Sequence, residues 1–268
     1  MSKLKTTIRY LKYLFSAGTK HDVHSPFVFN LLTNIIENNE EYYPYADIEN
    51  IRQQLLSDET SIEVNDLGAG SSVLKNNKRK ISEIARHSLK SPKYAQLLFR
   101  LANHFHPKTI LELGTSLGIT TLYLALANKQ AKVVTIEGSE NISQRAKQNF
   151  EKLNATNIES VVGNFDDILI SSLNKLCQLP TTNCQLDFVY FDGNHRKEPT
   201  LRYFEQCLQY AHNDSVFIFD DIHWSDEMEQ AWEQIKQHSR VTLTIDLFFI
   251  GIVFFRKEQV KEHFILRF

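Results

Sequence analysis

The chain is poor in cysteine, glycine and proline, with 3, 9 and 6 of these residues among 268. The cysteines are odd in number and lack metal-ligand spacing, which argues against a disulfide scaffold and against a zinc site. The scarcity of glycine and proline argues against a disordered or low-complexity chain. We therefore expect Cys177, Cys184 and Cys207 to be buried or incidental thiols of a cytoplasmic protein.

A strong charge of one sign and a long apolar run are also missing. The formal net charge is −2, so the basic footprint typical of nucleic-acid-binding proteins is absent. The longest apolar run, residues 247–255, is far shorter than the ~20 residues that span a bilayer. The sequence therefore predicts no nucleic-acid partner and no membrane partner.

The first third of the chain has a helical pattern. Apolar residues recur at helical spacing over residues 8–15, 27–35 and 48–56. Ser25 and Pro26 fit the cap and first turn of the second of these helices. Residues 65–80 are rich in Gly, Ser and Lys and indicate an exposed loop. We predict a helical extension or cap over 1–90 and a second domain over 91–268.

From residue 91 onward, short β-type runs alternate with amphipathic helical stretches. The runs cover 109–113, 132–137, 158–162, 186–191 and 215–220, and the helical stretches lie near 117–129, 141–153, 166–174, 198–211 and 226–238. Strands separated by single helices indicate an α/β fold with a parallel sheet that is covered on both faces. Two last runs near 241–247 and 250–256 leave almost no room for a helix and predict an antiparallel hairpin.

The first strand and the turn after it form the strongest motif. The strand ends in Glu112, Gly114 opens a tight turn, and Gly118 begins a helix. Glycine allows a ligand to approach the backbone closely, and the N-terminus of a helix presents unpaired N–H groups. Because Ser116 replaces the middle glycine, the fingerprint of dinucleotide-binding proteins is not met. A plain strand–turn–helix remains an alternative.

The next two strands also end in groups that suit a nucleoside. Glu137 ends the second strand, where a carboxylate can accept both hydroxyls of a ribose, although a surface carboxylate is the simpler interpretation. Gly163, Asn164 and Phe165 follow the third strand and could flank an adenine. Three such strand ends in succession predict a nucleoside ligand that carries something other than a pyrophosphate.

The fourth and fifth strands end in acidic residues and histidines. Asp192 and His195 follow the fourth, while Asp220, Asp221 and His223 end or follow the fifth. Carboxylates this close repel one another unless a cation neutralises them, and oxygen ligands favour a hard ion such as Mg²⁺. Such an ion could bind a substrate hydroxyl and lower its pKa. Alternatively, Asp192 contacts a cofactor and Asp221 caps the helix that opens at Ser225.

Taken together, these motifs resemble class I S-adenosylmethionine-dependent methyltransferases, and among them the small-molecule O-methyltransferases of the catechol, caffeoyl-CoA and macrolide-sugar types. The resemblance covers residues 88–256 and rests on ELGTSLG, TIE, VVGNF, FDGNH and FDD in this order. It implies a Rossmann-like, mostly parallel sheet of seven strands with the antiparallel hairpin at its end. It also implies S-adenosylmethionine as cofactor, with Mg²⁺ as an optional second one.

The resemblance assigns roles to individual residues. The cofactor-binding positions are Glu112, Gly114, Ser116, Gly118, Thr120, Glu137, Gly163, Asn164, Phe165 and Asp192. Asp192, Asp220 and Asp221 match metal-ligand positions of the metal-dependent enzymes. Catechol-type enzymes carry a lysine base at the position of His195 and an asparagine at that of Asp221, so the macrolide-sugar type is nearer. His195 is the expected general base, with Asp192 beside it.

Other functions stay open at this stage. The chain could methylate RNA or protein, with the basic residues 75–80 as one local cluster, or it could bind a nucleotide without catalysis. Asp66-Leu-Gly-Ala-Gly70 also matches a glycine-rich motif, but no amphipathic helix follows it, so we interpret it as a loop. The near-neutral charge favours a small-molecule acceptor that the cap over 1–90 selects. The apolar hairpin could support a homodimer.

Overall fold

The computed structural model of the protein describes residues 3–64, 77–177 and 185–268. The chain divides into two compact units. The first unit comprises Met1–Asn39 and Gln185–Phe268, and the second comprises Glu40–Cys184. The division that the sequence predicts near residue 90 stays a prediction.

Helices and strands alternate along most of the described chain. The helices are α1 Lys3–Ser16, α2 Pro26–Leu31, α3 Tyr45–Ser57, α4 Ile81–Ser88, α5 Pro92–Phe105, α6 Ile119–Ala127, α7 Glu140–Lys152, α8 Phe165–Cys177, α9 Lys197–Leu208 and α10 Asp226–Gln237. The strands are β1 Ser61–Glu63, β2 Lys78–Lys80, β3 Thr109–Leu113, β4 Lys132–Glu137, β5 Ile158–Val162, β6 Phe188–Phe191, β7 Val216–Asp220, β8 Leu243–Asp246, β9 Ile250–Phe254 and β10 Glu262–Ile265. A 3₁₀ turn covers Lys20–Asp22, and a π-helical turn, Leu32–Ile36, continues α2.

In the second unit, β3, β4 and β5 form a parallel array. Leu113 pairs with Ile136, and Glu137 pairs with Val162, so the carboxyl ends of the three strands lie level. All five residues of β3 are buried, as expected for a parallel strand with both faces covered. The core of this unit packs α3, α4 and α5 around α6 and includes Tyr45, Phe99 and Tyr123.

In the first unit, the strands follow the order β10, β8, β9, β7, β6. Strand β6 is parallel to β7, while β9 is antiparallel to both β7 and β8. The predicted C-terminal hairpin is therefore confirmed as β8 and β9. Its close packing shows at Gly251, where a Cβ atom would come within 2.7 Å of the Trp232 ring.

The α/β fold class is confirmed, with one strand more than expected. The additional strand is β10, which pairs in parallel with β8. With β10 included, the described residues contain eight strands besides the β1–β2 pair. It escapes a sequence pattern because it has four residues with alternating half-exposed and exposed side chains. Ser25 caps α2 as predicted, since its hydroxyl accepts a hydrogen bond from the N–H of Val28.

The segment 65–80 differs from the exposed loop that its composition predicts. Residues 78–80 form β2, which pairs antiparallel with β1. Residues 65–76, and with them the motif Asp66–Gly70, lie outside the described residues. Cys207 is a buried free thiol, as predicted, whereas Cys184 and the side chain of Cys177 lie outside the described part.

Candidate functional site

The turn after β3 has the conformation that its glycines predict. Gly114 and Gly118 have φ angles of 105° and 80°, in the region that favours glycine, and Ser116 between them has a φ of 47°. A Cβ atom at Gly118 would lie 2.5 Å from a ring carbon of Phe150. The turn therefore needs glycine at residue 118 both for its backbone and for its packing against α7.

Backbone hydrogen bonds tie this turn to the end of β4. The N–H groups of Gly114 and Thr115 donate to the carbonyl of Ile136 at 3.0 and 3.2 Å. The N–H of Ser116 donates to Glu137 Oε2 at 2.9 Å, and the N–H of Ser139 donates to Oε1 at 3.0 Å. These two bonds fix the direction of the Glu137 carboxylate, whose oxygens can each accept more than one hydrogen bond.

The end of β5 lies beside Glu137. The N–H of Gly163 donates to the carbonyl of Glu137 at 3.0 Å, and the φ angle of Gly163 is 153°. Asn164 Oδ1 accepts from the N–H of Asp166 and so opens α8, whose first residue is the half-buried Phe165. The structure thus brings together three of the strand ends that the sequence singles out.

Glu112 lies in the interior beneath the turn. Its side chain is buried and accepts hydrogen bonds from the hydroxyls of Thr121 and Thr135, the latter at 2.6 Å. A further hydroxyl contact of 2.6 Å joins Thr135 to Thr115 in the turn. Glu112 therefore fixes β3, β4 and α6 relative to one another. Its predicted cofactor contact stays a prediction, as does that of Thr120, which is almost buried in the first turn of α6.

Ser88 is a residue near this turn that the sequence does not reveal. Its hydroxyl lies 2.7 Å from that of Ser116, at the C-terminal end of α4. No motif marks it, because the contact joins residues 28 positions apart through the fold. Ser139 is a second such residue: it lies only two positions after Glu137, and its N–H donates to one oxygen of that carboxylate.

In the first unit, Asp192 and His195 lie close together after β6. His195 Nε2 is 3.6 Å from Asp192 Oδ1, and both side chains are about three-quarters buried or more. The hydroxyl of Tyr190 donates to Asp192 Oδ2 at 3.2 Å. Asn194 between them has a φ of 54° and donates to the hydroxyl of Tyr203 at 3.3 Å. The sequence-predicted pair of base and carboxylate is therefore a real neighbour pair.

The two acidic residues that end β7 have different environments. Asp220 is the last residue of β7, opposite Ile250 of β9, and is buried. Asp221 has a φ of 53°, and its N–H donates to the carbonyl of Phe249 at 2.7 Å. Helix α10 is capped by Ser225, whose hydroxyl accepts from the N–H of Met228 at 3.1 Å. The side chain that caps α10 is therefore that of Ser225 and not that of Asp221.

His223 is held by carboxylates on both of its ring nitrogens. Nε2 lies 2.8 Å from Asp246 Oδ2, and Nδ1 lies 3.1 Å from Glu229 Oε1. Burial lowers the pKa of His223, but the hydrogen bonds and charges of Asp246 and Glu229 outweigh it, so the pKa lies above its usual value. Arg9 of α1 contacts Glu229 at 3.0 Å and also pairs with Asp226.

This charged network borders a cavity of about 360 Å³ within the first unit. Its lining residues come from α1, the segment after β7, α10, the end of β8, and β10; they are Lys5, Ile8, Arg9, Lys12, Tyr13, Ser16, His223, Asp226, Glu229, Asp246 and Ile265. The cavity therefore combines ion pairs with an apolar wall.

The carboxylates that the resemblance assigns to a metal do not form a ready metal site. Within residues 3–64, 77–177 and 185–268, no group of three or more His, Cys, Asp or Glu side chains is arranged to hold a metal ion. The expected set of Asp192, Asp220 and Asp221 lies in this part of the chain. Their role as metal ligands therefore stays a prediction.

Comparison with known proteins finds similarity over the part of the chain that contains β3 to β7. Residues 111–222 match a family model described as a methyltransferase domain. The chain is 27% identical over 148 residues to the O-methyltransferase hkm8 of Aspergillus hancockii, a match that covers 53% of this chain and 55% of that protein. It is 28% identical over 135 residues to a catechol O-methyltransferase of Mycobacterium tuberculosis, with 49% and 56% covered. The chain thus spans about half the length of the curated relatives it matches.

Solved structures share the fold over more of the chain. The O-methyltransferase TomG of Streptomyces achromogenes, crystallised with S-adenosylmethionine, is 18% identical, with a TM-score of 0.56 and coverage of 85% of this chain and 95% of that one. An O-methyltransferase of Bacillus cereus, in complex with S-adenosylhomocysteine, is 20% identical, with a TM-score of 0.53 and 85% and 96% covered. The resemblance seen in the motifs is borne out: residues 111–222 are similar to a methyltransferase domain, and the chain shares the α/β fold of these solved structures.

Proposed function

We propose that the protein transfers a methyl group from S-adenosylmethionine to an oxygen of a small-molecule acceptor. The observation that carries the proposal is the convergence of the Gly114–Gly118 turn, the Glu137 carboxylate and Gly163 through direct hydrogen bonds. The relatives named above, each an O-methyltransferase by name, support the reaction class.

The donor set at the strand ends fits the proposed cofactor. Glu137 presents a carboxylate that the backbone N–H groups of Ser116 and Ser139 orient, and a carboxylate at this strand end suits two neighbouring ribose hydroxyls. The start of α6 at Gly118 has no side-chain cap, so backbone donors stay available at the turn. Gly163 to Phe165 would border the adenine, and the turn would border the amino-acid part.

When bound, the cofactor supplies an electrophilic methyl group on a sulfonium, so the protein has to align the acceptor and remove its proton. We propose that His195 is the general base that removes the proton of the acceptor hydroxyl. With Nε2 facing Asp192, Nδ1 is the atom that accepts the proton of the acceptor hydroxyl. The Asp192 carboxylate, oriented by the Tyr190 hydroxyl, then stabilises the imidazolium. The proposed reaction gives no catalytic role to Asp220 or Asp221 and does not depend on Mg²⁺.

The acceptor class is tested with S-adenosylmethionine that carries a labelled methyl group. The full chain is incubated with a metabolite extract and with RNA and protein fractions, and the label is followed in each. We expect label in a small organic product, at a rate that His195→Gln lowers. Label that enters only RNA or protein would favour the alternative of a macromolecular acceptor. Cofactor binding without any transfer would favour a non-catalytic binding protein.

The domain roles extend the proposal. We infer that residues 1–90 act as a cap that selects the acceptor, as the sequence predicts. The expected homodimer stays a prediction, and β8 and β9 offer no surface for it because they are buried strands paired to β10 and β7. No helix in the described part of the chain combines the length and the apolar character that crossing a bilayer requires.

A further inference from the structure

Helix α1 exposes an apolar face. Ile8, Leu11 and Phe15 follow one another at spacings of three and four residues, so they share one side of the helix. Their exposed fractions are 44%, 48% and 90%. A Phe with almost its whole side chain in water, next to two half-exposed aliphatic side chains, is an apolar surface that the described fold leaves uncovered.

The other side of α1 is what attaches the helix to its unit. Tyr13 and Ala17 are buried in a cluster with Phe248. The Tyr10 ring also contacts Phe248, with ring centres 4.9 Å apart. Arg9 adds ion pairs to Asp226 and Glu229. Because these contacts already fix the helix, folding of the first unit does not require the exposed face.

Positive charge is concentrated in the sequence of this helix and the residues next to it. Residues 1–21 contain Lys3, Lys5, Arg9, Lys12 and Lys20 and no acidic residue, which gives a charge of +5. Since the whole chain carries −2, residues 22–268 carry −7. Lys12, exposed and one residue from Leu11, lies beside the apolar face, and Lys5 lies one turn before Ile8 on the same flank. Lys5 pairs only with the exposed Asp226, at 3.4 Å, and such a pair gives way readily to another anion.

Apolar and cationic groups lie side by side on this helix, and a partner that covers the apolar face has to match both. Nucleic acid would engage the cations but offers nothing that buries three aliphatic and aromatic side chains. A second copy of the chain would bring the same positive charge against itself. A stable protein interface also uses about 20–30 residues a side, far more than this face offers. An anionic lipid surface satisfies both features, since its acyl region takes the apolar side chains and its headgroups take the lysines.

We propose that the Ile8–Leu11–Phe15 face of α1 rests on an anionic lipid surface, with Lys5 and Lys12 at the headgroups. The helix lies in the plane of the interface and does not cross it, so 14 residues suffice. This departs from the expectation of no membrane partner, which rested on the lack of a spanning segment. A chain that associates in this way places its unit beside apolar acceptors dissolved in the lipid.

Co-sedimentation with vesicles tests the proposal on the full chain. Vesicles of phosphatidylcholine alone are compared with vesicles that contain about 30% phosphatidylserine, at low salt and at roughly 0.5 M salt. We expect binding to the anionic vesicles at low salt and a loss of about 5-fold or more in bound fraction in the other conditions. The double variant Leu11→Ser/Phe15→Ser and the single variant Lys12→Glu should each lose binding to a similar extent.

Val260→Ser is the matched control, because Val260 is 77% exposed in the same unit but lies away from α1 in the sequence. It should bind vesicles as the unaltered chain does. Far-UV circular dichroism and the thermal midpoint confirm that each variant is folded. The proposal is overturned if the full chain stays in the supernatant with anionic vesicles, or if Leu11→Ser/Phe15→Ser binds as well as the unaltered chain. Two further results would overturn it. One is a dimer of the unaltered chain in light scattering that Leu11→Ser/Phe15→Ser dissociates, without any binding of the unaltered chain to vesicles. The other is binding of the unaltered chain to RNA but not to vesicles.

Discussion

The backbone N–H of Ser116 donates a hydrogen bond of 2.9 Å to Glu137 Oε2. This bond joins residues of two separate sequence motifs, one in the turn after β3 and one at the end of β4. It fixes the direction of the carboxylate and, at the same time, the left-handed backbone of Ser116. The position of the proposed ribose acceptor therefore depends on the conformation of the glycine turn.

Replacing Gly118 by alanine should destabilise the second unit. The φ of 80° is strained for any residue with a Cβ atom, and that atom would meet the Phe150 ring at 2.5 Å. Each effect costs about 1–3 kcal/mol, so we expect Gly118→Ala to lower the free energy of unfolding by about 2–5 kcal/mol in urea titration. Gly118→Ala/Phe150→Leu should recover only the part due to the clash. A Gly118→Ala protein as stable as the unaltered chain would contradict the described packing.

The buried carboxylate of Glu112 makes the Thr121 hydroxyl important for stability. Thr121→Val removes a hydrogen bond to the buried Glu112 carboxyl group while it keeps the volume, and should cost about 1–3 kcal/mol. Thr121→Ser keeps the hydroxyl and should lose clearly less. Chemical unfolding of the two variants side by side measures the difference. A loss in Thr121→Ser as large as that in Thr121→Val would contradict a dominant contribution of the hydrogen bond.

His195→Gln should lower the rate of methyl transfer without weakening cofactor binding. Glutamine cannot hold the proton of the acceptor, and loss of a general base lowers kcat by roughly 100-fold or more. The affinity for S-adenosylhomocysteine should stay unchanged. His238→Gln is the control, since His238 belongs to the same unit and faces Glu205 at 3.6 Å, away from Asp192 in the sequence. An equal rate in His195→Gln and the unaltered enzyme would exclude His195 as the base.

The stability of the first unit should depend on pH through His223. Desolvation opposes its charged form, but Asp246 and Glu229 raise its pKa in the folded state above the unfolded value. The stabilisation is therefore complete below about pH 6.5 and declines as the pH rises through the folded pKa. The other charged groups of this network are Arg9, Asp226 and Lys5. The free energy of unfolding, measured from about pH 6 to pH 9, should fall in the unaltered chain and fall less in His223→Gln. Parallel curves would show that His223 does not titrate as described.

The sequence predicts the strands of this fold well where each is a complete apolar run. β3, β4 and β5 have the predicted bounds because at least half of the residues in each short run are apolar. β10 has no such run, since its alternate side chains face water, and only pairing with β8 makes it a strand. The periodicity of Ile8, Leu11 and Phe15 predicts a helix correctly, yet the face that the chain buries is that of Tyr13 and Ala17.

The candidate site shows the same division. Glu137, Gly114 and Gly163 are predictable because a motif residue at the end of a parallel strand lies at the same edge as its neighbours. Ser88 carries no motif, and its contact with Ser116 depends on how the chain folds back. Ser139 contacts Glu137 locally, through a backbone N–H that any residue type would supply. The metal-ligand roles of Asp192, Asp220 and Asp221 stay a prediction, and no group of three such side chains in the described residues is arranged to hold a metal ion.

Isothermal titration with S-adenosylhomocysteine tests the central claim most directly. The unaltered chain should bind one equivalent at tens of micromolar or tighter. Glu137→Gln should bind about 10-fold to 100-fold more weakly, equivalent to about 1.4–2.8 kcal/mol, because an amide cannot accept from two hydroxyls and two backbone N–H groups as a carboxylate does. Glu140→Gln, at an exposed residue three positions along the chain, should bind like the unaltered protein. Absence of binding to the unaltered chain, or equal binding by Glu137→Gln, would contradict the account.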